Sequence, residues 1–244
     1  NFTTATNVYN VAVGASAGQS VTTGQFNTLI GGLAGDALTV GNSNVAIGKD
    51  ALTTDTKGDR NVAIGNASLG TQNFTTTTDA YNTAVGYAAG NAITTGKQNT
   101  LIGGLAGDAL TSSNVNVAVG YAALTTDTLG TRSTALGYAT LFAQNFATLT
   151  NADNVAIGYN ASTSTTTGIE NVIIGAQAGD ALTDADYNVA VGKSALGADT
   201  LGSRSTAIGY GALTLQNFTT ATATYNTAVG YQAGLNVTTG INNT

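Results

Sequence analysis

The stretch Asn44-Val45-Ala46-Ile47-Gly48 decides the fold, because it recurs along the whole chain. We call each copy the pentad. Its general form is Asn-(Val/Thr)-(Ala/Leu)-(Val/Ile)-Gly, with a few exceptions, and its residues are numbered as positions one to five. Thirteen pentads end on a glycine without substitution. We expect these to be structural turn glycines: Gly14, Gly31, Gly48, Gly65, Gly86, Gly103, Gly120, Gly137, Gly158, Gly175, Gly192, Gly209 and Gly230.

The spacing of these glycines defines a larger period. It runs 17, 17, 17 and 21 residues and then starts again, which gives a super-repeat of 72 residues. Repeats of such lengths are typical of solenoids, in which each unit stacks on its neighbours. The register continues over residues 1–244 with no linker, so we predict a single repeat array. Both ends cut through a repeat, and we interpret the chain as a segment of a longer fibre.

The composition of the pentad favours short strands. Valine, isoleucine and threonine suit a pleated, half-buried surface, and no helical periodicity persists along the chain. A unit of 17 residues has room for two or three short strands and tight turns. The sequence therefore predicts an all-β fold, a parallel β-solenoid or β-roll of about thirteen stacked coils with one pentad in each coil.

The two sides of the predicted strand differ in size. Position four is aliphatic in every copy, so we expect Val13, Ile30, Ile47 and Ile64 to stack in one interior column. Replacing Ile102 with Asp should then unfold the array locally. Position three is alanine in ten copies and points to the opposite side. We expect this small face to pack tightly against a partner chain, with another wall of the same coil as the alternative.

Several polar residues also recur at fixed offsets. The Asn at position one can form a hydrogen-bonded ladder along the stack. Eight residues past the glycine, every 17-residue unit has Thr and every long unit has Asn, which indicates vertical stacking. We interpret the recurring Asp55 and Arg60 as a surface ion pair that braces a turn. Their equivalents are Asp127 with Arg132 and Asp199 with Arg204.

The long unit has four extra residues, which we expect to bulge as a loop. Each long unit contains Gln-Asn-Phe. The phenylalanines are therefore predicted to lie in exposed loops: Phe74, Phe146 and Phe218.

The composition argues against catalysis, transition-metal binding, nucleic-acid binding and membrane insertion. The chain has no Cys and no His, which removes thiolate sites, the usual general base and the commonest transition-metal ligand. The seven Lys and Arg residues are scattered singly, and the net charge is −6, so no basic stripe exists for nucleic acid. No apolar run reaches the length of a membrane span. We predict no catalytic residue, no cofactor and no metal site, and hence no enzyme.

Three further functions fit the sequence less well than simpler explanations do. Calcium could bind the recurring Asp columns, but the Gly-Gly-x-Gly-x-Asp pattern is absent and turn capping explains the Asp residues. Glycoside hydrolysis needs paired carboxylates in a unique arrangement, whereas these columns repeat. Ice binding needs an unbroken Thr lattice, which the long units interrupt.

The pentads Asn44–Gly48 and Asn61–Gly65 resemble the head repeats of trimeric autotransporter adhesins and repeats in bacteriophage tail fibres. The resemblance covers the whole chain. It implies a left-handed β-roll that assembles as a homotrimer on a bacterial or virion surface. We therefore expect an extracellular fibre segment that mediates attachment to a cell-surface receptor or glycan. The alternative is a purely structural spacer whose binding tip lies outside this segment.

Overall fold

A computed structural model describes residues 7–244 of the chain. These residues form nineteen short strands and no helix. Each pentad forms one three-residue strand: Val11–Val13, Thr28–Ile30, Val45–Ile47, Val62–Ile64, Thr83–Val85, Thr100–Ile102, Val117–Val119, Thr134–Leu136, Val155–Ile157, Val172–Ile174, Val189–Val191, Thr206–Ile208 and Thr227–Val229. Six two-residue strands lie elsewhere in the coils: Gly58–Asp59, Thr78–Asp79, Gly130–Thr131, Thr150–Asn151, Gly202–Ser203 and Thr222–Ala223.

The chain divides into two compact units, Asn1–Asn116 and Val117–Thr244. The first contains six pentad strands and the second contains seven, and within each unit they pair in parallel in chain order. The pairing keeps equivalent positions together, so that Ile30 pairs with Ile47 and Ile47 with Ile64. The predicted fold class, a parallel β-solenoid of about thirteen coils, is confirmed.

The structure corrects which side of the strand is inside. Positions four do stack on one face, but that face points outward. Ala46 is fully buried, whereas its neighbour Ile47 is partly exposed, and Ile30 and Ile102 are 37% and 39% exposed. The predicted interior column of Val13, Ile30, Ile47 and Ile64 is therefore wrong. The expected local unfolding by Ile102→Asp loses its basis for the same reason.

The interior is formed by position three, which is buried in every coil from Leu29 to Ala228. A narrow coil has room for alanine there because leucines from the turns, such as Leu38 and Leu52, fill the remaining space and are fully buried. Position three thus packs inside its own coil. The prediction that it meets a partner chain is wrong, and the alternative of another wall of the same coil is confirmed.

The two predicted polar columns connect successive coils. Asn44 is fully buried, and its backbone N–H donates to Asn27 Oδ1 at 3.0 Å while its Nδ2 donates to the Gly58 carbonyl at 2.9 Å. The next coil repeats the pattern, with the Asn61 N–H donating to Asn44 Oδ1 at 2.9 Å. In the threonine column, the Thr39 hydroxyl donates to the Thr56 carbonyl at 2.9 Å. Both columns stack as the sequence predicts.

The pentad glycine ends each strand and begins a turn. All thirteen of these glycines have φ between 131° and 139°, a region that side chains rarely adopt. At Gly31, a Cβ would also lie 2.4 Å from the carbonyl oxygen of Gly48 in the next coil. Glycine is required because the backbones of successive turns touch at this corner.

The long units do not expose their phenylalanines. Phe74, Phe146 and Phe218 are only 5–7% exposed, so the expectation of an exposed aromatic loop is wrong. The exposed segment begins one residue later, at residues 75–77 in the first long unit. The chain then rejoins the coil through a parallel pair between Gly58–Asp59 and Thr78–Asp79. The first long unit therefore exposes the three threonines that follow the phenylalanine and not the phenylalanine itself.

The expected ion pair between Asp55 and Arg60 does not form, and neither do its two equivalents. Asp55 is fully buried, and its Oδ1 accepts a hydrogen bond from the Gly58 N–H at 3.0 Å, as turn capping predicts. Arg60 instead forms an ion pair with Asp79 from the long unit. Burial of the aspartate removes it from the reach of an arginine on the surface.

Candidate interaction surface

The outward side of the pentad strands forms a continuous apolar surface in each unit. We call it the aliphatic face and define it as positions two and four of the pentads. Position two is Val or Thr in all thirteen coils, and position four is Val, Ile or, at Leu136, Leu. Neither position has a charged residue in any coil. Most of these side chains are partly exposed.

The aliphatic face has the size of a functional surface patch. Coils rise about 4.8 Å each and positions two to four span about 10 Å, so the seven coils of the second unit present roughly 340 Å². The largest apolar patch on a typical monomeric protein covers about 300–600 Å² and is often an interaction site.

A second column flanks the aliphatic face where the chain leaves each strand. We call it the tyrosine column and define it as the residue that follows each pentad glycine. Six of its members are tyrosines and all are exposed: Tyr87, Tyr121, Tyr138, Tyr159, Tyr210 and Tyr231. In the second unit they form two stacks, with ring centroids of Tyr121, Tyr138 and Tyr159 5.7 and 5.4 Å apart, and those of Tyr210 and Tyr231 5.4 Å apart.

The tyrosine column is interrupted between its two stacks. Ala176 and Lys193 occupy the two coils between Tyr159 and Tyr210. Each step of the column is held by a backbone hydrogen bond of 2.9–3.0 Å, from Gln177 N to Tyr159 O, from Ser194 N to Ala176 O and from Gly211 N to Lys193 O. We call this interruption the tyrosine gap.

The other margin of the aliphatic face is formed by the residue that precedes each pentad. In the second unit, Arg204 lies between two tyrosines, with its guanidinium carbon 5.1 Å from the ring centroid of Tyr187 and 5.8 Å from that of Tyr225. Arg132, in the same column, forms an ion pair with Asp153, and this hydrogen bond raises the pKa of the guanidinium. These cations are therefore engaged with their own chain.

The buried aspartates form polar networks inside the coil. Asp127 is fully buried, and its Oδ2 accepts a hydrogen bond from Gln144 Nε2 at 2.6 Å while Oδ1 accepts from the Gly130 N–H at 2.8 Å. Gln144 Oε1 in turn accepts from Asn154 Nδ2 at 2.9 Å. Burial raises the pKa of Asp127, and the hydrogen bonds that it accepts lower the pKa by less. Closed to solvent, this network supports the turn and offers no site to a substrate.

The described residues contain neither a metal-binding cluster nor a membrane-spanning helix. Within residues 7–244, no three His, Cys, Asp or Glu side chains are grouped so that they could hold a metal ion. A cavity of about 310 Å³ lies beside the last coil, and Leu213, Ala228, Val237 and Asn243 contribute to its lining. That lining is mainly aliphatic. No helix among the described residues is long and apolar enough to cross a membrane.

Sequence reasoning missed the tyrosine column and the tyrosine gap. The signal was present, because aligning the chain on its pentad glycines places every one of these residues at the same offset. The sequence instead predicted exposed phenylalanines in the long units, and the structure buries them.

Comparison of the chain with known proteins gave no match to a family model, to a curated protein or to a solved structure.

Proposed function

We propose that this chain is a segment of a homotrimeric extracellular fibre that attaches a bacteriophage or a bacterium to a cell surface. The observation that supports the proposal is the aliphatic face. Thirteen coils repeat an uncharged outward surface, and a free surface would tolerate polar and charged residues at these positions. Repeated apolar contact with other copies of the chain accounts for that restriction. The resemblance of the pentad to adhesin and tail-fibre repeats favours three copies.

The proposed interface lies on the opposite side of the strand from the one that the sequence indicated. Position three is inside the coil, so positions two and four are the ones available to a partner. Threonine at position two is compatible with such an interface, because it is uncharged and its methyl group can pack against a partner. The proposed trimer therefore rests on Val45 and Ile47 and their equivalents.

A purely structural spacer is the second candidate. The observation that favours it is that most surface features repeat with the coil, as a rod of uniform diameter would require. A spacer assembles in the same way but has no ligand of its own. The two candidates therefore differ in attachment and agree on assembly.

Attachment can be tested with the fluorescently labelled chain on intact bacteria and on cultured epithelial cells, with assembly measured in parallel by mass photometry. An attachment segment should assemble and be retained on one of the two cell types in a saturable manner. Assembly without retention would favour the spacer. A chain that stays monomeric at micromolar concentration would contradict the fibre itself.

A further inference from the structure

We propose that the tyrosine gap is a binding site for a saccharide with a carboxylate group. The site consists of the ring of Tyr159 at one end, the ring of Tyr210 at the other, Ala176 as the floor and Lys193 as the cation. This inference deepens the proposed function, on which it rests, because it names a class of ligand for the attached fibre.

The geometry of the gap follows from the coil. Tyr159 and Tyr210 are three coil steps apart, which corresponds to about 14 Å between them. The backbone hydrogen bonds of 2.9–3.0 Å at each step hold the walls and the floor at fixed positions. Ala176 adds almost no bulk to the floor. The opening thus has room for a flat ring beside the Lys193 side chain.

The ends of the stacks offer free aromatic faces. Tyr159 stacks on Tyr138 at an interplanar angle of 14°, so its other face is directed toward the coil of Ala176. Tyr210 stacks on Tyr231 at 10°, and its free face is directed toward the coil of Lys193. The face of an aromatic ring is the negative side of its quadrupole and attracts the polarised C–H groups of a sugar ring. Neighbouring tyrosines inside a stack have no such face available.

The lysine indicates that the sugar is acidic. Lys193 is exposed, and none of the ion pairs found among residues 7–244 includes it. Lys49 occupies the equivalent position two super-repeats earlier, and there the ammonium group is paired with Asp50. Ser194 stands where Asp50 would be, so Lys193 has no carboxylate beside it. A carboxylate on a sugar ring that stacks on Tyr159 above Ala176 would lie one coil from Lys193 and supply the missing partner.

The tyrosine gap does not repeat with the array. The positions equivalent to Tyr159, Ala176, Lys193 and Tyr210 are Tyr87, Gly104, Tyr121 and Tyr138 one super-repeat earlier, and Ala15, Gly32, Lys49 and Asn66 in the first. The combination of two tyrosine walls, a small floor and an unpaired lysine therefore occurs at one place in the tyrosine column. A spacer has no need of such a unique arrangement, whereas a binding segment does.

The test is an isothermal titration of the assembled protein with trigalacturonate, with maltotriose as the neutral probe. Wild type should bind trigalacturonate and bind maltotriose more weakly. Lys193→Gln should weaken trigalacturonate binding about threefold and remove its dependence on salt. Ala176→Tyr should abolish binding, because it fills the gap with the residue that six other coils have at this offset and leaves the coil intact.

Two matched variants control for unspecific effects. Lys49→Gln removes the same charge from the same column, and Tyr121→Ala removes a tyrosine at the distant end of the stack. Both should bind trigalacturonate as wild type does. Equal affinity for the two saccharides, binding that survives Ala176→Tyr, or no binding by wild type would each overturn the proposal. Sedimentation of the same samples separates the saccharide site from the proposed fibre. Protein that assembles but does not bind would contradict the saccharide site alone.

Discussion

Leu101 and Ile102 are neighbours on one strand and have side chains of the same size, yet the first is fully buried and the second is 39% exposed. Leu101 points into the coil, where leucines and alanines share a narrow interior. Ile102 points outward, to a surface that has no cover within its own chain. In this solenoid, large aliphatic residues at a regular period occur both in the core and on an exposed face.

The position of asparagine tells the two sides apart. Residues alternate sides along a strand, so position one and position three share a side, as do positions two and four. The asparagine ladder bonds backbone groups inside the coil, which places position three inside with it. The outward side is then the one with the regular Val, Ile and Thr.

The largest effect is expected from moving one charge between the two sides. Leu101→Asp removes a buried leucine and leaves an unpaired carboxylate in the interior, and should reduce the free energy of unfolding by about 5 kcal/mol. Ile102→Asp places the same charge in reach of water and should cost about 1 kcal/mol in the isolated chain. Urea titrations followed by circular dichroism would measure both. Equal losses for the two variants would contradict the assigned orientation.

A second pair of neighbours tests the corner that ends the outward strand. Gly31→Ala should reduce the free energy of unfolding by about 3 kcal/mol, because φ is unfavourable and the new Cβ would meet the Gly48 carbonyl. Gly32→Ala is the control: a Cβ at Gly32 would find no atom within 4 Å. Its effect should stay within about 0.5 kcal/mol. Thermal unfolding would compare the stabilities of the two variants. Similar unfolding midpoints would contradict the special role of Gly31.

The buried carboxylate tests the polar part of the interior. The side chain of Asp127→Asn would turn its amide donor toward either Gln144 Nε2 or the Gly130 N–H, which are both donors, and should cost about 2 kcal/mol. Gln144 cannot simply turn over, since its Oε1 already accepts from Asn154.

The cost of Asp127→Asn should also depend on pH. Burial raises the pKa of Asp127 in the folded state above its ordinary value of 3.8. The contribution of the protonated group is therefore fully present below that value and is lost as the pH rises through the raised pKa. Asparagine does not titrate, so the difference in stability between wild type and variant should narrow from acidic to neutral pH. A difference that widens with pH would show that the carboxylate is stabilised by its network.

The smallest effect is expected at Asn160, whose Oδ1 is a buried atom without a hydrogen-bond partner. Asn160→Ala removes this unsatisfied acceptor, but alanine tolerates the φ of 52° less well than asparagine. The two effects oppose each other, and the free energy of unfolding should change by less than about 0.5 kcal/mol. A loss of several times this amount in a urea titration would show that the amide has a partner.

Much of the fold could be predicted because stacked coils require the same residue types at the same positions of every coil. The constant spacing of the glycines, the asparagine ladder and the threonine column each reflect a contact that recurs in every coil. The inside could not be predicted from size, because alanine is typical both of a narrow interior and of a close interface. The sequence did contain the residue that identifies the inner side. Asn44 lies two residues before Ala46 and therefore on the same side of the strand.

The surface was harder to predict, because it depends on contacts between coils that are distant in sequence. Arg60 meets Asp79 and not Asp55, since the long unit returns to the coil beside it. Phe74 is likewise buried, and the exposed part of the long unit is the segment that follows it. The tyrosine gap depends on which residues lie between two stacks, and it becomes visible only when the chain is aligned on its pentad glycines and these are known to stack.

The most direct test of the account is whether the aliphatic face holds copies of the chain together. Sedimentation equilibrium at micromolar concentration should compare wild type with a face variant, Ile157→Lys with Ile174→Lys and Val191→Lys. A loop variant with the same added charge, Thr75→Lys with Thr148→Lys and Thr219→Lys, serves as the control, since these threonines are exposed outside the face.

Wild type and the loop variant should sediment at three times the mass of the 24.1 kDa chain, and the face variant as a folded single chain. Loss of assembly in the face variant alone would place position four of the pentads in the interface. A wild-type protein that sediments as a well-folded monomer, or a face variant that remains trimeric, would contradict the account.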